Sequence, residues 1–149
     1  MSFEVAYYRD LGPFWGGKMK DSNITIADLK AQVAAFVRER DWEQFHSPKN
    51  LSMSIAIEAA ELMEHFQWLT LEESRAVGSE PAKMDRIREE VADIVLYVLN
   101  FCNQLSIDLS TCVTDKIEKN AYKYPVELVK GRADVSREPL CPPAPLRRG

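Results

Sequence analysis

Two pairs of carboxylates, Glu58 with Glu61 and Glu90 with Asp93, have the spacing in this sequence best suited to chemistry. Residues three apart share a face of an α-helix, so each pair projects two acids in nearly one direction. Each pair also borders an apolar stripe. With Glu58 at zero and about 100° per residue, Glu61 falls near −60° and His65 near −20°, while Leu51, Ile55, Leu62 and Phe66 occupy about +20° to +80°. With Glu90 at zero, Asp93 and Tyr97 take those same two angles, and Ile87, Ile94, Val98 and Phe101 fill the same apolar band. If the two helices pack through their stripes, four carboxylates converge at one edge of the interface. Such a cluster must take up protons or bind cations. Oxygen-only donors suit Mg²⁺ or Mn²⁺ rather than zinc or copper. A single ExxE on a helix is usually a solvated face, and what raises this case above that is the matching phase of two pairs. A di-iron carboxylate bundle would want Glu-x-x-His on two helices, whereas His65 follows Glu61 by four residues.

Other groups have weaker signatures. Lys116, Lys119, Asn120 and Lys123 form one strip beside Val113, Ile117 and Tyr124, which suits either a solvated lysine face or contacts to the outer phosphates of a metal-bound triphosphate. Trp42, Phe45, His46 and Trp68 flank the segment bearing Glu58 and Glu61. An aromatic beside a charged cleft can stack on a nucleobase, for roughly 1–3 kcal/mol in single-strand binders, or it can simply cover the end of a bundle. Cys102, Cys112 and Cys141 make an odd count with no CxxC pair, and the first two fall within helical patterns as expected buried thiols.

Four helical patterns must position these groups. The first spans about Thr25 to Arg40, with Thr25 as N-cap, Asp28 in the first turn and a stripe of Ile26, Leu29, Val33, Phe36 and Val37. The connector RDWEQFHSPKN follows, and Asn50 is the expected cap of a second helix from about Leu51 to Trp68. Ser79 and Pro81 mark the start of the third, which runs to about Leu105, and Asp108 or Ser110 starts a fourth that stops before Pro125. No strand pattern is convincing. The expected fold is all-α and four-helix-bundle-like.

The flanks differ in character. Residues 1–22, with GPFWGGK, show no period and read as a leader outside the fold, either poorly ordered or foreign to the natural chain. Residues 131–149 end in REPLCPPAPLRRG and read as a mobile, proline-rich tail, leaving 23–130 as the working domain. The net charge of −4 argues against duplex nucleic acid as a partner. No apolar run approaches the roughly 18 residues of a membrane span, and the N-terminus lacks a signal-peptide pattern, so a cytoplasmic protein is expected.

With these residues laid out, the chain resembles the MazG-like, all-α nucleoside triphosphate pyrophosphohydrolases, whose metal signature is ExxE, a spacer, then ExxD. Glu58-Ala-Ala-Glu61 and Glu90-Val-Ala-Asp93 match it. RERDWEQFHSPKNL (38–51), EAAELMEHFQW (58–68), EEVADIVLYVL (89–99) and DKIEKNAYKYP (115–125) are most similar to the dCTP pyrophosphatase branch. The resemblance implies that Glu58, Glu61, Glu90 and Asp93 bind Mg²⁺, with Mn²⁺ as a possible substitute. It further implies that Trp42, His46, Trp68 and Tyr97 line a nucleotide pocket, that Asn120 and Lys123 add contacts, and that helices of a homo-oligomer, a tetramer or a dimer, complete each site. The expected reaction is hydrolysis of a (deoxy)nucleoside triphosphate, dCTP or a modified dCTP, to monophosphate and pyrophosphate, with Glu61 as the preferred base for the attacking water. Open alternatives are a related pyrophosphohydrolase acting on dUTP or phosphoribosyl-ATP, and a helical oligomer that binds nucleotide or protein without turnover.

Overall fold

The computed structural model describes residues 19–132. Most of the expected leader, most of the proline-rich tail and Cys141 lie outside them. Among the described residues there are helices and turns but no strand, and the fold they form is all-α.

The first helix, α1 (Ile26–Glu39), begins where the sequence signals it. Thr25 and Asp28 form a reciprocal capping box: Asp28 N–H donates to Thr25 Oγ1 at 3.1 Å, and Thr25 N–H donates to Asp28 Oδ2 at 2.9 Å. The Thr25 hydroxyl, donating to Asp28 Oδ2 at 2.6 Å, and then the Thr25 N–H hold the Asp28 carboxyl below its usual range.

The C-terminus of α1 is closed by a Schellman motif. Asp41 sits at φ 52°, in the left-handed region, while Trp42 N–H donates to Val37 O and Asp41 N–H to Arg38 O, both at 3.0 Å. A short 3₁₀ turn, Glu43–Phe45, carries the chain into α2 (Pro48–Glu64). Here the structure corrects the sequence: the cap is Ser47, whose Oγ accepts from Asn50 N–H at 3.2 Å, and Pro48 takes the first helical position. A proline there loses no helical bond and brings a suitable φ. Asn50 instead donates through Nδ2 to Phe45 O, tying the 3₁₀ turn to the first turn of α2.

α2 ends four residues before Trp68, and residues 66–69 turn through Phe66 N–H and Gln67 N–H to Met63 O. A short helix that the sequence reading missed, α3 (Leu71–Ala76), follows from a second capping box between Thr70 and Glu73. A 3₁₀ turn, Val77–Ser79, then leads to α4 (Pro81–Gln104), the longest helix described, again with proline in its first turn.

α4 is the axis of the unit formed up to Ile107, and both α1 and α2 pack on it. Leu51 of α2 and Leu99 of α4 are fully buried, joined in the core by Val33 and Val37 of α1, Ile87 and Cys102 of α4, and Val77. Two polar ties fix α1 against the end of α4: Asn103 Nδ2 donates to Lys30 O at 2.9 Å, and Lys30 Nζ donates to Ile107 O at 2.7 Å. A second Schellman motif stops α4, with Ser106 at φ 54° and Ile107 N–H donating to Cys102 O.

The second unit begins at Asp108, the side-chain cap of α5 (Leu109–Lys123), and includes α6 (Val126–Val129) after Pro125. Cys112 on α5 is exposed, against the expectation of a buried thiol, whereas Cys102 is buried.

Glycine accommodates a positive φ without the side-chain clash that an L-residue meets there. Ser106→Gly is therefore expected to raise stability by about 1 kcal/mol, read as a higher urea midpoint with unchanged slope. The depressed Asp28 carboxyl contributes stability that is present above its unfolded pKa and is lost as pH falls through the folded one. Asp28→Asn should accordingly lower the melting temperature near pH 7, and the difference from the parent should shrink toward about pH 3. A difference that grew on acidification would contradict this assignment.

Candidate active site

Packing α2 against α4 brings Glu58, Glu90 and Asp93 together. One carboxylate oxygen from each lies within 4.8 Å of the others. Glu58 and Glu90 are half-buried, and Glu58 is pushed above the usual carboxylate range, first by desolvation and then by the charges of Glu61, Asp93 and Glu90. Glu61, one turn beyond Glu58, is exposed and stays outside the converging set, although its charge is felt there. Three of the four acids thus meet directly and the fourth stands beside them.

Partial compensation comes from the C-terminus of α2. His65 Nε2 lies 3.8 Å from Glu90 Oε1, with both side chains about four-fifths buried, and forms an ion pair when protonated. This donor set is chemically suited to a hard divalent cation: it is all carboxylate oxygen, drawn from two helices, and its mutual repulsion is relieved by positive charge.

Beside the acids lies a cavity of about 510 Å³, a size suited to a small molecule. Leu29, Val33, Phe36 and Val37 wall it on the α1 side, and Leu96, Tyr97, Leu99 and Asn100 on the α4 side. Trp42 and His46 close it from the turn after α1. The Schellman motif sets their direction by turning the chain at Asp41, so that Trp42 returns over the helix end. There the Trp42 ring meets Phe36 edge-on at 5.9 Å between centroids and His46 edge-on at 6.1 Å. The Arg40 guanidinium caps the stack, 3.6 Å from the centre of the Phe36 ring.

Asp93 belongs to both features: its carboxylate joins the acidic cluster and its side chain lines the cavity. Glu90, Asp93, Tyr97 and Asn100 fall at steps of three, four and three residues, so they run as one strip along α4, about 15 Å from end to end.

Of the residues expected at a nucleotide pocket, Trp42, His46 and Tyr97 line this cavity. Trp68 does not; it stands 87% exposed just past α2. Asn120 and Lys123 lie on α5 in the second unit, where Lys123 Nζ sits 5.2 Å from the centre of the Tyr124 ring.

Sequence reasoning missed Asn100, which is 3% exposed and hydrogen-bonded to His46. The available signal was an amide isolated within the apolar run VLYVLNFC, seven residues beyond Asp93. It also took Val33, Phe36 and Val37 only for core. No helix among the described residues is long and apolar enough to cross a membrane.

An all-helical fold with an acidic cluster opening onto an apolar cavity is the class that this geometry defines. A family model described as MazG-like matches residues 53–136, more than half of the sequence, and the chain belongs to that family. It is 38% identical over 112 residues to dCTP pyrophosphatase 1 of Bos taurus, a match covering 75% of this chain and 66% of the bovine protein. With dCTP pyrophosphatase 1 of Homo sapiens it shares 36% identity over 106 residues, covering 71% and 62%. The chain thus spans a little under two thirds of these relatives' length. Among solved structures, a crystal structure of a pyrophosphatase from Archaeoglobus fulgidus matches with a TM-score of 0.61 and 35% identity, over 72% of this chain and 99% of that one.

Because ionisation of Glu58 is penalised by its neighbours, Glu58→Gln is expected to raise the melting temperature of metal-free protein. Saturating divalent metal should reverse the order: at about a hundred times its Kd it stabilises the parent by about 2.7 kcal/mol, and the variant gains less. An identical metal-induced rise in both proteins would remove Glu58 from the metal site.

Proposed function

We propose that this protein is a metal-dependent nucleoside triphosphate pyrophosphohydrolase that converts a deoxycytidine triphosphate, plain or base-modified, to the monophosphate and pyrophosphate. The observation that carries the proposal is the shared position of Asp93, between a carboxylate cluster suited to a phosphate-bound cation and an apolar cavity suited to a base. Membership of the MazG-like family and the names of the bovine and human relatives support the same chemistry.

In this proposal Glu58, Glu90 and Asp93, with Glu61 beside them, hold Mg²⁺, for which Mn²⁺ can substitute. The ion's contribution when bound is to offset phosphate charge and to make water a better nucleophile at the α-phosphorus. The chain's own groups do the rest. Trp42, His46 and Tyr97 receive the nucleoside, and the cavity walls strip water from the base. Trp68, which is exposed, is a further contact to the base, and Asn120 and Lys123, both half-buried on α5, are further contacts to the outer phosphates. Glu61 is the preferred proton acceptor because it is exposed beside the cluster and outside the converging set, which leaves its carboxylate open to water.

A homo-oligomer, a tetramer in preference to a dimer, is part of the proposal. Met53, Ile57 and Met63 on α2 and Val91 and Val95 on α4 are all more than 40% exposed, a density of apolar surface that a second copy would cover. A cytoplasmic role in clearing unwanted deoxynucleotides suits this activity. The related reading, a pyrophosphohydrolase preferring dUTP or phosphoribosyl-ATP, shares the acids and differs only at the cavity.

Pyrophosphate release should be measured from the four dNTPs, the four NTPs and 5-methyl-dCTP, with Mg²⁺ and with EDTA. Mg²⁺-dependent release favouring cytosine deoxynucleotides is expected. Glu61→Gln should lower turnover by about 10²-fold or more with the fold intact. Folded protein that releases nothing from any triphosphate would point to a binding module instead.

A further inference from the structure

Asn100 is the one polar side chain buried among the described residues, flanked on α4 by buried Leu99 and Cys102. An amide in such a place is costly unless partnered. Its partner is an imidazole: Asn100 Nδ2 lies 2.9 Å from His46 Nδ1, and both side chains line the cavity. An amide NH₂ only donates, so a hydrogen bond between these two nitrogens requires His46 Nδ1 to accept and to bear no proton. Neutral imidazole has a single N–H, which must then sit on Nε2. The imidazole also packs against the Trp42 ring, 6.1 Å between centroids and 80° between planes, and the His46 backbone is held in the 3₁₀ turn by its N–H donating to Glu43 O at 3.2 Å.

Resting on the pyrophosphohydrolase reading for what the cavity holds, we propose that Asn100 is a positioning residue that locks His46 in its Nε2–H form, so that His46 presents the base with one fixed donor. The cavity then selects a base offering an acceptor, such as a ring nitrogen or a carbonyl oxygen, at that place. A base presenting N–H there leaves two donors facing each other, and such a mismatch discriminates more strongly than a change in size. Asn100→Asp is nearly isosteric and replaces the donor with an acceptor. It draws the imidazole proton to Nδ1 and leaves Nε2 as an acceptor, so the preferred base changes.

The test uses the full chain labelled with ¹⁵N-histidine, with long-range ¹H–¹⁵N imidazole spectra recorded at about pH 8, where ordinary imidazole is neutral. A His46→Gln variant separates its signals from those of His65. The parent is expected to show His46 as the Nε2–H tautomer and Asn100→Asp as the Nδ1–H tautomer. Asn100→Leu, which supplies no partner, should show a mixture. With the base panel, KM for the preferred triphosphate should rise about tenfold in both variants while kcat stays within about twofold, and the ranking of bases should change in Asn100→Asp. A parent His46 protonated on Nδ1, or tautomers that do not respond to position 100, would overturn the proposal. So would folded variants with unchanged KM and base ranking. Should the parent turn over no triphosphate, the pyrophosphohydrolase reading fails, and the tautomer spectra still decide whether Asn100 sets the state of His46.

Discussion

Carboxylates repel, and three of them have oxygens within 4.8 Å because the apolar seam between α2 and α4 leaves them no other place. Leu51, with no exposed surface, and Ile87 lie in that core, so sliding or rotating either helix to separate the acids would open it to water. Removing a buried leucine side chain costs about 2–5 kcal/mol in other proteins, comparable to a large share of a domain's net stability. The seam therefore holds the charge cluster as a loaded arrangement. The raised Glu58 carboxyl is the local trace of that strain, and a cation is the natural means of relieving it.

The rest of the unit serves this seam. α1 packs on the far end of α4, tied by Asn103 and Lys30, and the space between them is the cavity. Its closing wall depends on backbone geometry as much as on packing. Asp41 in the left-handed region reverses the chain within two residues, so Trp42 packs back over Val37 and Phe36 rather than continuing away from the helix. The bond from Asn50 to Phe45 then fixes where α2 starts, which sets the register of Glu58 against Glu90. One short connector thus places both the aromatic wall and the first acid pair.

Much of this was legible in the sequence. The two acid pairs were found by phase against their stripes, and the stripes are the packed faces: Leu51 and Ile87 are buried, and Ile55, Leu62, Phe66, Ile94, Val98 and Phe101 are half-buried. The N-cap at Thr25 was readable because it depends only on local residues, and of the two starts offered for the last long helix, Asp108 and Ser110, the structure takes Asp108. The start of α2 was misplaced because Ser47 and Asn50 are both good caps, and only the tertiary bond from Asn50 to Phe45 decides between them. α3 escaped because six residues are too few to carry a period. Phase also could not tell that Glu61 would point outward while Glu58 turned in, since both border the stripe within about 60°. Asn100 was invisible for a different reason: its role depends on His46, 54 residues away, and no periodicity reports a partner at that distance.

The strip Glu90, Asp93, Tyr97 and Asn100 orders chemistry along a single helix, from acids to phenol to buried amide. A nucleotide has the same polarity, with phosphates at one end, sugar between and a base at the other. Over about 15 Å of α4 the surroundings change in step, from like charges that call for a cation to a largely apolar cavity with the buried Asn100 amide at its edge. Desolvation works in both halves with opposite effect. At the cluster it makes unneutralised charge costly and so favours a metal. In the cavity, with a base bound as proposed, it makes an unmatched donor costly and so favours one arrangement of base edges. α4 contributes to both halves, Glu90 and Asp93 to the cluster and Tyr97 and Asn100 to the cavity, and Asn100 reaches His46 outside the helix, so under the proposed function phosphate placement and base selection are coupled through this helix.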